Sequence, residues 1–538
     1  MKKTVWASLD DYLPPFKDQK LMGRGFANYN FLEALLRYGH FDEYHFFLIN
    51  KSHKTEFENN HRELLRRIDA ESKVKLFYRT ELPRAVSQYD YTVFHQTDHI
   101  THFNAICHFR NRFGSFPVTS FIHSISYPGM MLELQEMSFG GVTSQDAIIC
   151  SSDAGQRVLM NCFLQIRQMR NLPLPPVKMD VIPFGFDSAP FAGLSREMAR
   201  KQIGIGPGEI VALCFGRISE YDKMDLFPLL QAFFKIYRKD YPWRLVLAGA
   251  AHHPSYVKMV ELWVKALGLE EAVIIKTDIS ERDKIALFKA ADFFVSPSDN
   301  LQETFGLTLI EALAAGLPLV VSDFSGYREI ATPKVAKRVP TRWSSIDLIS
   351  SMEFGPLLDE AAMHRFMAQS VQVDMDTLSA SMLELFSSQP LCARMGSAAR
   401  KRFEQCYDYR LIIGRLEDLW HRLKGEFSLG AIQNNKGPLF PDYFHAFSHY
   451  FTGHVVNDEL LKSTAFAMSL LDAGQDYPLF SGMDQVIEKE NIRRIIAFSS
   501  EPKTLEEIID SIGDDRGRTH YQVMWMLKHG LLESSMTH

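Results

Sequence analysis

The chain has 538 residues, 46% of them hydrophobic and 23% charged, with a formal net charge of -6. At roughly 100–200 residues per domain, this length predicts about three domains, each large enough for its own core. The mildly acidic balance excludes a surface wholly given to nucleic acid, and the six cysteines, none in a Cys-x-x-Cys pair, argue against a zinc cage or a disulfide scaffold. The first residues turn acidic at Asp10-Asp11, too soon for a signal peptide. No uncharged apolar run reaches the roughly 18 residues of a transmembrane helix. A cytoplasmic protein is therefore expected, with a peripheral position at the inner membrane left open.

Short apolar runs alternate with helical patterns, which predicts an α/β protein with parallel sheets. In the first third, strands are predicted at 4–8, 45–49, 74–77, 91–95, 118–123 and 147–150. A short run at 181–182 then enters Pro183-Phe-Gly-Phe-Asp187, which reads as a linker. A second series of strands is predicted at 210–215, 244–248, 273–275, 293–295 and 319–322. Two consecutive series predict two doubly wound domains with ligand in the cleft at the carboxyl ends of the strands. Residues 395–424 read as helix, with Leu411, Leu416, Leu419, Trp420 and Leu423 as its apolar stripe. Gln433-Asn-Asn-Lys-Gly-Pro438 reads as a second linker. Beyond it comes the aromatic run 443–451, then two short helices at 504–512 and 519–529 joined by Gly513-Asp-Asp-Arg-Gly517.

The stretch 291–329 carries the chemistry. A buried strand at 293–295 ends in Ser296-Pro-Ser298, a polar loop spans 299–304, and a helix without breakers runs over 307–315 to Gly316, a residue suited to a left-handed C-cap. The amides at the start of that helix lack intrahelical partners and lie at the positive end of its dipole, so a diphosphate fits there. Gly306 lets backbone approach a ligand closely. Glu303 precedes the helix, and Glu311 lies just over one turn beyond Leu307, with its side chain directed back toward the helix start. Two carboxylates beside an anion site suit sugar and ribose hydroxyls; each alone would equally suit a solvated surface residue. Arg217 and Lys223 follow a strand end, where two cations can neutralise a departing diphosphate. His123 stands at another strand end in Phe121-Ile-His-Ser124.

Glu303 and Glu311, with Phe-Gly-Leu between them, resemble the Glu-x7-Glu signature of the retaining family-four glycosyltransferases, which have the GT-B fold. The flanks fit as well: Ala291-Asp292, Ser296-Pro-Ser298, Glu311-Ala-Leu-Ala-Ala-Gly-Leu-Pro318 and Gly326-Tyr-Arg-Glu329. Phe215-Gly-Arg-Ile-Ser-Glu-Tyr-Asp-Lys223 resembles the Gly-Arg…Lys-Gly segment of that family, although Met224 replaces the second glycine. The resemblance implies transfer of a sugar from a UDP- or GDP-linked donor with retention of anomeric configuration. It implies Glu303, His123, Arg217 and Lys223 as catalytic residues, and Glu311, Phe305, Gly306, Leu307 and Gly25 as donor-binding residues. Gly25 enters through Gly23-Arg-Gly25, which resembles the glycine-containing loop that faces the donor.

No cofactor is expected, and no metal: Asp374-Met-Asp376 has a metal-binding form but reads as a helix start. The resemblance implies an N-terminal, acceptor-side Rossmann-like domain at 1–190 and a nucleotide-sugar domain at 191–395. A helix returning to the first domain at 396–428 and an appended helical, winged-helix-like domain at 438–538 complete the expected layout. The acidic residues Glu506, Glu507 and Asp510 favour self-association or a protein partner over nucleic acid for that last domain. The acceptor could be a glycan, a lipid-linked group, a peptide, a protein or a small molecule. The rival reading is a GT-B scaffold or peptide-binding protein with an appended interaction domain; the intact Glu303, Glu311, Arg217 and Lys223 argue against it.

Overall fold

The computed structural model describes residues 3–13, 23–251, 253–344, 357–426 and 442–534. The linker expected at 433–438 lies outside the described residues. The first domain is built on a seven-stranded parallel sheet in the order β3-β2-β1-β4-β5-β6-β7. Its strands are β1 (Val5–Ser8), β2 (Glu43–Leu48), β3 (Val74–Tyr78), β4 (Tyr91–Gln96), β5 (Val118–Phe121), β6 (Ala147–Cys150) and β7 (Lys178–Val181). Helices cover both faces, so the strands are apolar on both sides. Phe46 enters the core on one face, while its neighbour Phe47 enters the core on the other. Cys150 is buried in the second of these cores and Cys214 in the core of the second domain, as small apolar residues would be.

The second domain has a six-stranded parallel sheet in the order β10-β9-β8-β11-β12-β13. The strands are β8 (Ile210–Phe215), β9 (Trp243–Ala248), β10 (Val273–Lys276), β11 (Phe293–Ser296), β12 (Leu319–Ser322) and β13 (Ala336–Val339). The alternation read from the sequence thus gives two doubly wound sheets. The edge strand β13 escaped it because Lys337 and Arg338 interrupt its apolar character. Each sheet reverses order at one crevice, β1/β4 in the first and β8/β11 in the second, where α/β proteins place ligands. After β13 the short antiparallel pair β14 (Thr341–Arg342) and β15 (Gln372–Val373) brackets the helix Glu360–Gln369. Asp374 accepts a hydrogen bond from the Thr377 amide as N-cap of helix Met375–Phe386, so the Asp374-Met-Asp376 motif does open a helix.

Two helices, not one, occupy the stretch at 395–424. Gln389–Cys406 stays on the second domain: a Cβ on Gly396 would lie 2.3 Å from the Gly316 carbonyl oxygen, so this crossing requires glycine. The chain breaks at Tyr407-Asp408, where Asp408 caps the next helix and bridges to Phe186. Helix Tyr409–Gly425 then packs on the first domain. Its Trp420 is fully buried and donates to Thr119 Oγ1 at 3.0 Å. Leu411, expected in the buried stripe, faces solvent instead; Ile412 and Ile413 take the inward positions.

The appended domain folds around Leu461, Ile495, Leu505, Ile508, Val523 and Met526. Strand β16 (Leu460–Ser463) is central in a three-stranded antiparallel sheet with β17 (Lys503–Thr504) and β18 (Leu532–Ser534). Helices Lys489–Phe498, Leu505–Ile512 and Arg516–Lys528 complete a winged-helix-like order, with Thr504 and Glu507 forming a capping box and Gly513 a left-handed C-cap. The domain touches the first domain through Gln485, which donates to the Ile49 carbonyl at 2.8 Å and accepts from Thr80 at 3.2 Å. No helix among the described residues is long and apolar enough to cross a membrane.

Candidate functional site

A cavity of about 1310 Å³ lies between the first two domains, at the carboxyl ends of their strands. Its floor on the second domain is the meeting of β8 and β9. A Cβ on Gly249, where φ is +146°, would lie 1.7 Å from the Gly216 carbonyl oxygen, so no other residue fits there. The mouth of helix Leu307–Ala315 opens into the same space. Gly306 caps it at φ 109° and ψ 66°, with no side chain hydrogen-bonded to the first turn. A Cβ on Gly306 would meet the Tyr327 ring at 2.6 Å, and one on Gly326 would meet the Thr304 carbonyl at 2.4 Å. The segment carrying Glu303 is thereby pressed against Tyr327. The backbone amides of Leu307 and Thr308 stand at the positive end of this helix, and both residues line the cavity.

Three acid–cation pairs line this wall. Lys223 Nζ lies 2.5 Å from Glu303 Oε2, with 11% and 13% of the two side chains exposed. Tyr327 donates its hydroxyl to the same oxygen at 3.3 Å. Burial acts to raise the Glu303 pKa, but the Lys223 ammonium outweighs it and holds the carboxyl below its ordinary range. The same contact keeps Lys223 protonated against its own burial. Glu311 is 8% exposed and pairs with Lys284 at 2.7 Å. Here burial prevails over the ammonium and leaves the Glu311 carboxyl above its ordinary range. Arg217 donates to Asp222 at 2.6 Å and to the Asp222 carbonyl at 3.1 Å, which fixes the guanidinium at the cavity edge.

From the first domain, His123 lines the cavity. Its Nε2 lies 2.9 Å from the Thr97 carbonyl and 3.1 Å from Asn28 Oδ1, and its ring stacks on Phe184 at 5.3 Å. The two domains meet on the loop that holds Glu303. Thr304 donates its hydroxyl to the His123 carbonyl at 3.0 Å, and Ser152 donates to the Thr304 carbonyl at 2.6 Å. Glu329 reaches across to accept the Asp153 and Ala154 amides at 3.0 and 3.1 Å, the mouth of a first-domain helix.

His123, Arg217, Lys223, Glu303, Phe305, Gly306, Leu307 and Glu311 therefore border one cavity. Gly25 is placed differently. It lies in the first turn of helix Gly23–Tyr38 rather than in a loop, and it is Phe26 that lines the space. No motif or spacing pointed to Lys284, which stands outside the motif segments, or to Asp222 as the anchor of Arg217. Tyr327 was legible only as part of the Gly326–Glu329 flank.

The fold and the cleft define a GT-B protein, with a Rossmann-like domain on each side of the mouth of helix Leu307–Ala315. Residues 195–346, the stretch that carries the acid–cation pairs, match the family Glycosyl transferases group 1. Over 199 residues the chain is 30% identical to D-inositol 3-phosphate glycosyltransferase of Kineococcus radiotolerans, which covers 35% of this chain and 42% of that protein. The chain thus matches less than half the length of that curated relative. A glycosyltransferase from Rickettsia africae superposes with a TM-score of 0.55 at 14% identity, covering 79% of this chain and 99% of that one. Anabaena Alr3699/HepE, solved in complex with UDP and glucose, superposes with a TM-score of 0.50 at 17% identity, covering 77% of this chain and 98% of that one.

Proposed function

We propose that the protein transfers a sugar from a nucleotide-diphosphate sugar, UDP- or GDP-linked, to an acceptor hydroxyl with retention of anomeric configuration. The observation that carries this reading is the Lys223–Glu303 pair set beside the open mouth of helix Leu307–Ala315. A diphosphate at that mouth would draw on the helix amides, Lys223 and Arg217 as its charge grows during bond cleavage. Glu303 would then accept hydroxyls of the transferred sugar, and Glu311 those of the ribose. His123 would bound the sugar from the first domain. The acceptor hydroxyl would attack from the face the diphosphate leaves, passing its proton to a diphosphate oxygen, with no residue of the chain forming a glycosyl bond. The two cations and the helix amides would meet the leaving charge without a metal or other cofactor.

The test is direct. The protein is incubated with a panel of UDP- and GDP-sugars, thermal shift selects the donor, and NMR reads the anomeric configuration of the transferred sugar. Transfer with retention that persists in chelator is expected. Arg217→Ala should lower kcat by about 10²-fold, the cost of removing one donor to a developing anion. A covalent glycosyl adduct on the chain, or binding of no nucleotide sugar at all, would overturn the reading.

A further inference from the structure

Helix Glu360–Gln369 lies beyond the residues shared with the family, which end at 346. It nevertheless sits against the cleft. At its outer edge Arg365 pairs with Glu220 at 3.2 Å and lies over the Tyr221 ring, while Gln369 donates to Asp225 at 3.2 Å. Both contacts bind it to the loop that carries Arg217 and Lys223. On its inner side His364 is 2% exposed. The Gln302 side-chain amide lies 2.6 Å from His364 Nδ1, and His364 Nε2 lies 3.3 Å from the Ser126 carbonyl of the first domain. Tyr127, also from the first domain, donates its hydroxyl to Gln302 Oε1 at 3.5 Å and packs its ring edge-on against His364 at 5.2 Å.

The donors and acceptors of this group run in one direction. Tyr127 O–H points to the Gln302 carbonyl oxygen. The Gln302 amide nitrogen donates to Nδ1, and Nε2–H donates to Ser126. The arrangement requires a neutral imidazole protonated at Nε2, and burial pushes the His364 pKa below the ordinary range, which keeps it neutral. Gln302 immediately precedes Glu303, and its own amide is tied to Asn300 Oδ1 at 3.0 Å. Asn300 in turn donates to the Tyr221 carbonyl at 2.6 Å. One connected set of hydrogen bonds thus joins the first domain, the helix and the backbone on which Glu303 is mounted.

We infer that helix Glu360–Gln369 is a strap across the cleft, and that His364, acting through Gln302, is a positioning residue for Glu303. This rests on the reading of Glu303 as the sugar-binding carboxylate. The strap makes closure of the two domains and placement of that carboxylate a single event. When the first domain moves away, Ser126 and Tyr127 leave His364 and Gln302, and the loop loses its hold from that side.

The experiment pairs steady-state kinetics with hydrogen exchange of the full chain. In His364→Ala, kcat should fall about tenfold, the size of one net buried hydrogen bond, while the Kd for nucleoside diphosphate stays within about twofold. Exchange of the amides at 299–304 should rise by about the same factor. His364→Asn, whose amide oxygen can stand where Nδ1 stands, should restore most of both. If His364→Ala does not fold, Gln302→Met carries the same expectation with the volume kept. Unchanged exchange overturns the strap, and raised exchange with unchanged kcat overturns the positioning role. Should the parent transfer no sugar at all, the functional reading fails and the exchange measurement alone decides the strap.

Discussion

Replacing Lys223 by methionine isolates the electrostatics of the cleft. The substitution keeps an unbranched side chain of similar length and leaves Glu303 with neutral donors nearby, the Tyr327 hydroxyl at 3.3 Å and the Phe305 amide at 3.4 Å. Only 13% of the Glu303 side chain is exposed, so water from the cavity can replace the ammonium only in part. Breaking a buried pair by removing one partner costs about 3–5 kcal/mol, and the lower end applies because this pair borders a cavity. The cost must depend on pH. In the parent, Glu303 titrates below its ordinary range, so the pair contributes stability above the unfolded pKa and loses it as pH falls through the folded one. Without Lys223, burial raises the same carboxyl, and the penalty is absent at low pH and grows as pH rises past the unfolded value. Urea unfolding at pH 7.5 and pH 5 should therefore show a deficit of about 3 kcal/mol that shrinks on acidification. Lys223→Met combined with Glu303→Leu should recover most of it. A single variant within about 0.5 kcal/mol of the parent at pH 7.5, the range of an ordinary surface change, would refute the reasoning.

Gly306→Ala should cost at least about 1–2 kcal/mol from its left-handed backbone and abolish donor binding, because the new methyl meets Tyr327 at 2.6 Å; Gly208→Ala, with open space around it, should melt as the parent does. Lys284→Met should make nucleotide affinity fall as pH drops from 8 to 6, since Glu311 already titrates high and loses its counter-charge; calorimetry across that range checks it, and a flat profile counts against Glu311 as the ribose ligand. Glu303→Gln should weaken the nucleotide sugar by roughly 1.5 kcal/mol, a charge-assisted hydrogen bond, and leave the sugar-free nucleoside diphosphate bound at least as well; equal losses for both ligands would remove Glu303 from the sugar.

The fold was legible because its strands are buried on both faces and announce themselves as unbroken apolar runs. Val211, Leu213, Phe293, Val295, Leu319 and Val321 are of this kind, and all are buried. Edges were less legible: β13 carries Lys337 and Arg338 because one side of it meets solvent. In the cleft, the residues fixed by local backbone geometry stood out, since Gly306, Gly316 and the helix between them form one continuous signal. Residues placed by tertiary packing did not. Lys284 reaches Glu311 from a different helix, Glu281–Ala290, and His364 reaches Gln302 from 62 positions away. No spacing rule connects such positions, because the sheet order that brings them together is itself non-local. The break at Tyr407-Asp408 was hidden for another reason: both helices that flank it carry apolar stripes, and only the domain that each stripe covers tells them apart.

The pairs in the cleft also explain why carboxylates stand beside the positive end of a helix. Lys223, Lys284 and Arg217 each hold an acid at 2.5–2.7 Å. A buried ammonium without such a partner would lose its proton or destabilise the fold, so Glu303 and Glu311 are what keep Lys223 and Lys284 charged against their own burial. A nucleotide sugar brings both kinds of partner at once, phosphate oxygens for the cations and hydroxyls for the acids. If Lys223 turned to the diphosphate of the proposed donor, Glu303 would be left with unused acceptor sites for the sugar hydroxyls. Every charge then remains partnered through binding, and only a ligand that carries both groups can complete the exchange. A bare pyrophosphate would take the cations and strand Glu303 in a site with 13% exposure. Under the proposed function, selectivity for the sugar would follow from the cost of an orphaned carboxylate as much as from any hydroxyl contact.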